Sequence, residues 1–140
     1  GVEASMPLTT QSTAKNLSKT PETYLGSLRG QADTVTLLGD WDVEAEFAKP
    51  RKQAQLLLKF TADKVLLVIR PQTDHDRIKV LIDGKVADTG KAGTDVQNGY
   101  IKISGEKLYQ LIDLKGLNGS HELKLEFEQG SPALYAFTFG

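Results

Sequence analysis

The chain has 140 residues, 39% hydrophobic and 25% charged, with 17 basic against 18 acidic side chains and a net charge of −1. This length suits one domain that buries a core without covalent staples, and the balanced charge argues against a nucleic-acid module, which carries a basic excess. No cysteine is present, which excludes thiol catalysis, disulfides and cysteine-based metal sites, and no apolar run reaches the roughly 18 residues of a membrane-spanning helix.

Residues 1–34 are mostly Ser, Thr, Gln, Lys and small side chains without sustained periodicity, and they read as an extended leader or inter-domain linker. Within them TPETYLG (20–26) is different. Thr20 as N-cap and Pro21 at the first helical position predict one helical turn, ended by Gly26 or Gly30. Tyr24 and Leu25 make an apolar anchor in a polar segment.

From residue 35 the pattern becomes short runs of period two. VTLLGDW (35–41), QAQLLLKFTA (53–62), DKVLLVIRP (63–71), RIKVLIDG (77–84), YIKIS (100–104), KLYQLIDL (107–114), HELKLEFEQ (121–129) and ALYAFTFG (133–140) are the predicted strands. Asp83-Gly84, Asn98-Gly99 and Asn118-Gly119 offer the positive backbone angles of tight hairpins. About eight strands with frequent turn signals predict an all-β fold, an antiparallel, jelly-roll-like β-sandwich over residues 35–140. HELKLEFEQ sets Leu123, Leu125 and Phe127 against Glu122, Lys124, Glu126 and Glu128, so one of its faces is wet. KVLLVIR and QLLLKF are apolar on both faces and belong in the interior of a sheet, or between a second layer and a loop.

Candidate chemistry is sparse. Ser104 and Ser27 lack the Gly-x-Ser-x-Gly elbow, and nothing matches phosphate-loop, dinucleotide or zinc spacing, so no catalytic residue or cofactor is predicted. Asp74, His75 and Asp76 form a small acidic cluster that reads either as a metal site or as a solvated turn; three residues supply few of the six or more oxygens that calcium needs. His121 reads as a surface residue at a hairpin end. Asp40 and Asp42 flank Trp41 and, with Asp76, are the carboxylates available to a small hydrolase, the least favoured function. The aromatics suggest more. A flat ring beside planar hydrogen-bonding groups recognises the apolar face and hydroxyl rim of a sugar. Trp41, Tyr100 and Tyr109, with Arg70, Asp83 and Gln110, are the candidate ligand-binding set. The competing reading packs these rings in the core or at edges with polar tips outward, and Tyr135 reads as core.

TPETYLG, the run ending GDW, LLVIRP, VLIDG, KLYQLIDL and ALYAFTFG, in that order over about residues 20–140, resemble the C-terminal domain of DipZ-type thioredoxin-family proteins. The resemblance implies a sandwich similar in fold to carbohydrate-binding modules, placed after an extracytoplasmic thioredoxin-like domain. It therefore implies an extracytoplasmic location, a thioredoxin-like domain as partner in cis or trans, and a cell-envelope glycan as candidate ligand. It also makes Tyr24 and Leu25 domain-docking residues at the junction. Lacking Cys-x-x-Cys, this chain carries none of the family's redox chemistry. The expected function is a non-catalytic binding or accessory module, carbohydrate-binding-like, with a purely architectural protein-interaction domain as the alternative.

Overall fold

A computed structural model describes the backbone of residues 4–7, 22–28 and 31–140 and the side chains from Thr34 onward, Thr89 and Asn118 excepted throughout. Among the described residues there is no helix. The strands are β1 (Ala4–Pro7), β2 (Glu22–Leu28), β3 (Gln31–Leu38), β4 (Trp41–Val43), β5 (Ala48–Pro50), β6 (Gln55–Thr61), β7 (Lys64–Arg70), β8 (Arg77–Ile82), β9 (Lys85–Val86), β10 (Val96–Gln97), β11 (Tyr100–Ile101), β12 (Lys107–Asp113), β13 (Ser120–Gln129) and β14 (Ala133–Phe139). They form two antiparallel sheets. A six-stranded sheet runs β12-β7-β14-β5-β4 with β1 on β14, and an eight-stranded sheet runs β10-β11-β8-β13-β6-β3-β2 with β9 on β8. As the apolar runs require, β7 and β6 are interior strands.

The sheets pack on one core. Leu56, Leu58, Ile78, Val80, Leu123 and Leu125 come from the eight-stranded sheet; Leu67, Ile69, Leu111, Leu134, Phe137 and Phe139 come from the six-stranded one, all buried. Two predicted hairpins take their expected form. Asp83-Gly84 (φ 52°, 81°) joins β8 to β9, and Asn98-Gly99 (φ 54°, 82°) joins β10 to β11. Both central residues have positive φ, the condition for a two-residue turn whose twist matches its strands. Asn118, of the third predicted turn, lies outside the described residues.

Three expectations change. The predicted strand 35–41 is broken: β3 ends at Leu38 in one sheet and β4 starts at Trp41 in the other. Gly39 makes this corner, with φ +83° and a backbone so close to the Gln53 carbonyl that a Cβ would lie 2.2 Å from its oxygen. The predicted YIKIS strand shortens to Tyr100–Ile101. Finally, Thr20 and Pro21 of the predicted helical turn lie outside the described residues, and the rest of TPETYLG belongs to the extended strand Glu22–Leu28 laddered onto β3, with Tyr24 opposite Val35 and Leu25 opposite Thr34. Pairing with an available sheet edge overrides the weak local helix signal. Both β2 and the start of β3 fall within the stretch that reads as leader.

Candidate functional site

The two outer faces of the sandwich differ in chemistry. In β7, inward Val65, Leu67 and Ile69 alternate with Leu66, Val68 and exposed Arg70. Leu108 of β12 lies directly opposite Val68, and Gln110 lies opposite Leu66. On the other flank Thr138 of β14 faces Leu66. The β14 ladder slips between Leu134 and Phe137, and such a bulge re-aims side chains. Here it leaves Tyr135 half-buried beside Arg70, with the guanidinium 5.9 Å from the ring centroid. Phe47, leading into β5, packs against Tyr135 with centroids 5.4 Å apart and planes inclined by 55°. Arg70 and Lys49 lie 5.7 Å and 5.5 Å from the Phe47 centroid. The outer face of the six-stranded sheet thus carries Val68, 40%-exposed Leu108, Phe47 and Tyr135, ringed by two cations.

The outer face of the eight-stranded sheet carries facing charges, set around half-buried Leu57 and Leu81. Lys79 stands opposite Glu126 and Lys59 opposite Glu122. Lys124 pairs with Glu126 at 3.3 Å, and Arg77 Nε with Glu128 Oε1 at 3.1 Å. The Arg77 guanidinium lies 3.8 Å from the Tyr100 ring centroid, and the Tyr100 hydroxyl donates to Glu128 at 3.1 Å. Tyr100 and Arg77 line a shallow cleft of about 390 Å³ with Asp74, His75, Asp76 and Gln129.

The residues predicted to bind sugar are dispersed. Trp41 is 1% exposed, its indole N–H donates to the Leu38 carbonyl at 2.8 Å, and its ring meets Phe127 of the opposite sheet edge-on at 5.4 Å. Tyr109 is fully buried; its hydroxyl accepts from Ser104 N–H at 2.8 Å and donates to the Gly105 carbonyl at 2.5 Å. Neither ring offers a face to a ligand, which corrects the expectation: burial satisfies both ring and polar tip. Arg70 and Gln110 lie on the outer face of the six-stranded sheet, and Tyr100 on the other. The Gln110 main-chain N–H donates to Asp95 at 2.8 Å, fixing the 88–96 loop over β12.

Asp83 lies at neither face but at the β8–β9 turn, where its carboxylate meets His121 Nδ1 at 2.5 Å and the Glu122 N–H at 2.9 Å. Partial burial pushes this carboxyl up, but the hydrogen bonds from His121 and Glu122 and the charges of His121 and Lys91 outweigh it and hold it below the usual carboxylate range. His121, read from the sequence as a surface residue at a hairpin end, is the partner of Asp83 there.

The acidic cluster 74–76 is a loop closure. Asp76, 5% exposed, accepts from Gln72 N–H at 2.6 Å, Thr73 N–H at 3.2 Å and Thr73 Oγ1 at 3.1 Å. The Gly130 backbone abuts this carboxylate, 1.9 Å from where a Cβ would stand. No metal-holding group of His, Asp and Glu occurs among the described residues. Asp42 is ion-paired with Arg51, while a buried Asp40 oxygen has no hydrogen-bond partner among the described residues. Tyr24 and Leu25 are described by backbone alone.

Phe47, Tyr135, Lys49, Val68 and Leu108 escaped the sequence reading as a site. The available signal was a β7 run apolar on both faces, and an aromatic closing the charged EAEF loop.

Solved structures share this fold. A family two carbohydrate esterase from Cellvibrio japonicus matches with a TM-score of 0.59 at 12% identity, over 86% of this chain and 33% of that one. An acetyl xylan esterase (Est2A) from the rumen bacterium Butyrivibrio proteoclasticus matches with a TM-score of 0.59 at 9% identity, over 99% of this chain and 32% of that one. The chain spans about a third of the length of these esterases, and at such identities the likeness shows the fold alone. No curated protein matches the sequence. The model of the thioredoxin-like C-terminal domain matches residues 9–140, and the chain belongs to that family.

Proposed function

We propose that this domain is a non-catalytic accessory module that docks a thioredoxin-like domain, in cis or in trans, on the outer face of its six-stranded sheet. The observation that carries this reading is the apolar and aromatic row Leu108, Val68, Tyr135 and Phe47, on a face where the opposite sheet carries ion pairs. A sheet face open to water normally alternates to polar side chains. Aromatic residues and Arg are the groups enriched in protein interfaces and their energetic centres. Family membership supports a thioredoxin-like occupant, because a domain named as C-terminal to thioredoxin-like proteins has such a domain as its natural neighbour. The engagement of Asp42 and Asp76 by other groups supports a non-catalytic role. A cysteine-free chain also suits an oxidising, extracytoplasmic compartment.

The test is amide-resolved NMR of this domain with a thioredoxin-like domain of the same family added. The expected footprint covers β7, β12, β14 and residues 44–50. A footprint on β6, β8 and β13, or none at millimolar partner, would overturn the reading.

A second reading, a glycan-binding module, is favoured by the Tyr100–Arg77 cleft, which sets an aromatic beside planar polar groups. The fold shared with parts of two carbohydrate esterases agrees with it. Titration with envelope oligosaccharides separates the two, since a glycan reader shifts Tyr100, Arg77 and Gln129 and leaves Tyr135 unmoved.

A further inference from the structure

We infer that Arg70 and Tyr135, with Lys49 beside them, form an incomplete carboxylate receptor inside the docking face, and that the docked domain completes it with an Asp or Glu side chain. This rests on the docking reading above and adds the chemistry of the partner surface.

The protein contains a closer, completed grouping of the same residue types, with the arginine 3.8 Å from the ring centroid where Arg70 is 5.9 Å from Tyr135. On the eight-stranded sheet an arginine, Arg77, lies over a tyrosine ring, Tyr100, and one carboxylate serves both: Glu128 accepts from Arg77 Nε at 3.1 Å and from the Tyr100 hydroxyl at 3.1 Å. On the six-stranded sheet Arg70 lies over Tyr135, but the carboxylate is missing. Among the described residues the ion pairs join Arg51 to Asp42, Arg77 to Glu128, Lys107 to Asp95, Lys124 to Glu126 and His121 to Asp83, and none includes Arg70 or Lys49. Asp42, the acid opposite Lys49 in the ladder, is taken by Arg51. Among the described residues the exposed acids of the adjoining loop, Glu44 and Glu46, make no ion pair either.

Arg70 is suited to wait for such a group. A guanidinium holds its five donors in one rigid plane, and near two aromatic rings it loses little further freedom when a carboxylate takes two of them. A charge-assisted pair of this kind is stronger than a neutral one, and strongest where a partner excludes water around it. The surroundings select a protein carboxylate over a sugar acid. Val68 and Leu108 continue the same face in apolar side chains, which an apolar protein surface covers favourably and a hydroxylated ring does not.

The experiment is calorimetric titration of this domain with a thioredoxin-like domain of the family at about 50 and 500 mM NaCl, for wild type, R70Q, R70K and Y135F. The inference expects R70Q to bind about tenfold more weakly at low salt and to lose most of the salt dependence. R70K should recover the salt dependence but not the full affinity, because an ammonium lacks the fork. Y135F should weaken binding by a smaller factor. Unchanged melting temperatures confirm that the variants fold. Tight binding by wild type and R70Q alike, with equal salt slopes, overturns the carboxylate receptor and leaves the docking reading standing. No binding by wild type overturns both. Oligoglucuronate that shifts Phe47 and Tyr135 resonances more strongly than the thioredoxin-like domain does would overturn the choice of a protein carboxylate.

Discussion

The two outer faces of this sandwich share one core and one strand chemistry, yet one sets opposite charges across its strands and the other carries an apolar and aromatic row. On the eight-stranded sheet β13 sets Glu122 opposite Lys59 and Glu126 opposite Lys79, pairs Glu128 with Arg77, and stands Lys124 between Leu57 and Leu81. On the six-stranded sheet the same positions of β7 and β12 hold Leu66, Val68, Leu108 and Gln110. The core does not need this difference, since the inward rows of both sheets are fully apolar. Ion pairs on an open face contribute little to stability but keep a strand soluble and discourage wrong pairing. The proposed docking surface is the face where such charges give way to an apolar and aromatic row along β7, β12 and β14.

The largest expected effect removes what the faces share. Trp41 joins the sheets through its edge-on contact with Phe127 and its bond to Leu38. Trp41→Ala should cost about 3–5 kcal/mol, lowering the melting temperature by on the order of 10–20 °C, and should broaden resonances on both faces. A variant that melted like wild type would mean that the two sheets do not depend on one core. The next effect transplants one face onto the other. Val68→Lys with Leu108→Glu puts a cross-strand ion pair at a directly opposed position of the apolar face. Stability should change by no more than about 1 kcal/mol, while affinity for a thioredoxin-like domain should fall more than about tenfold, measured by calorimetry. Retained affinity would show that the apolar row is not the contact.

How far the sequence exposed this design depends on range. The wet face of β13 was readable because Leu123, Leu125 and Phe127 alternate strictly with charges, and the Asp83-Gly84 and Asn98-Gly99 turns because their chemistry is local. The interior places of β6 and β7 followed from runs apolar on both sides. The fate of GDW was not readable. Gly39 turns a corner between sheets only because the Gln53 backbone approaches it from 14 residues away (53 − 39), and no pattern within the segment encodes that approach. The candidate site failed for the same reason. A lone tryptophan and a tyrosine look equally fit for stacking on a sugar or filling a core; the choice was made by Phe127 for Trp41 and by the Ser104–Gly105 backbone for Tyr109. Tyr135 went the other way, because a one-residue slip in the β14 ladder brought it out to Phe47.

A smaller effect tests whether the ends of the charged sheet obey the same electrostatics as its face. The Asp83 carboxyl is held below its ordinary value when folded, so its contribution is complete above the unfolded pKa of about 3.9 and is lost as pH falls through the folded one. Asp83→Asn removes that titration while retaining a residue suited to φ 52°. Urea unfolding at pH 6 and pH 3 should show wild type ahead of the variant at the higher pH and the gap closing at the lower. A gap independent of pH would mean that shape, and not charge, holds the turn.

The smallest expected effect is the most pointed. Glu126 faces Lys79, pairs with Lys124 and accepts from Gln55 at 3.3 Å, so by contacts alone it is the best-connected acid of the charged face. Exposed pairs gain little in water and lose side-chain freedom. Glu126→Gln should therefore shift stability by about 0.5 kcal/mol or less and leave the binding of a thioredoxin-like domain unchanged, with melting and calorimetry as the readouts. A loss of binding would move the contact surface to the charged sheet. A loss of several degrees in melting temperature would mean that the ladder helps to hold the fold, and the two outer faces would then differ in their share of stability as well as in their openness to a partner.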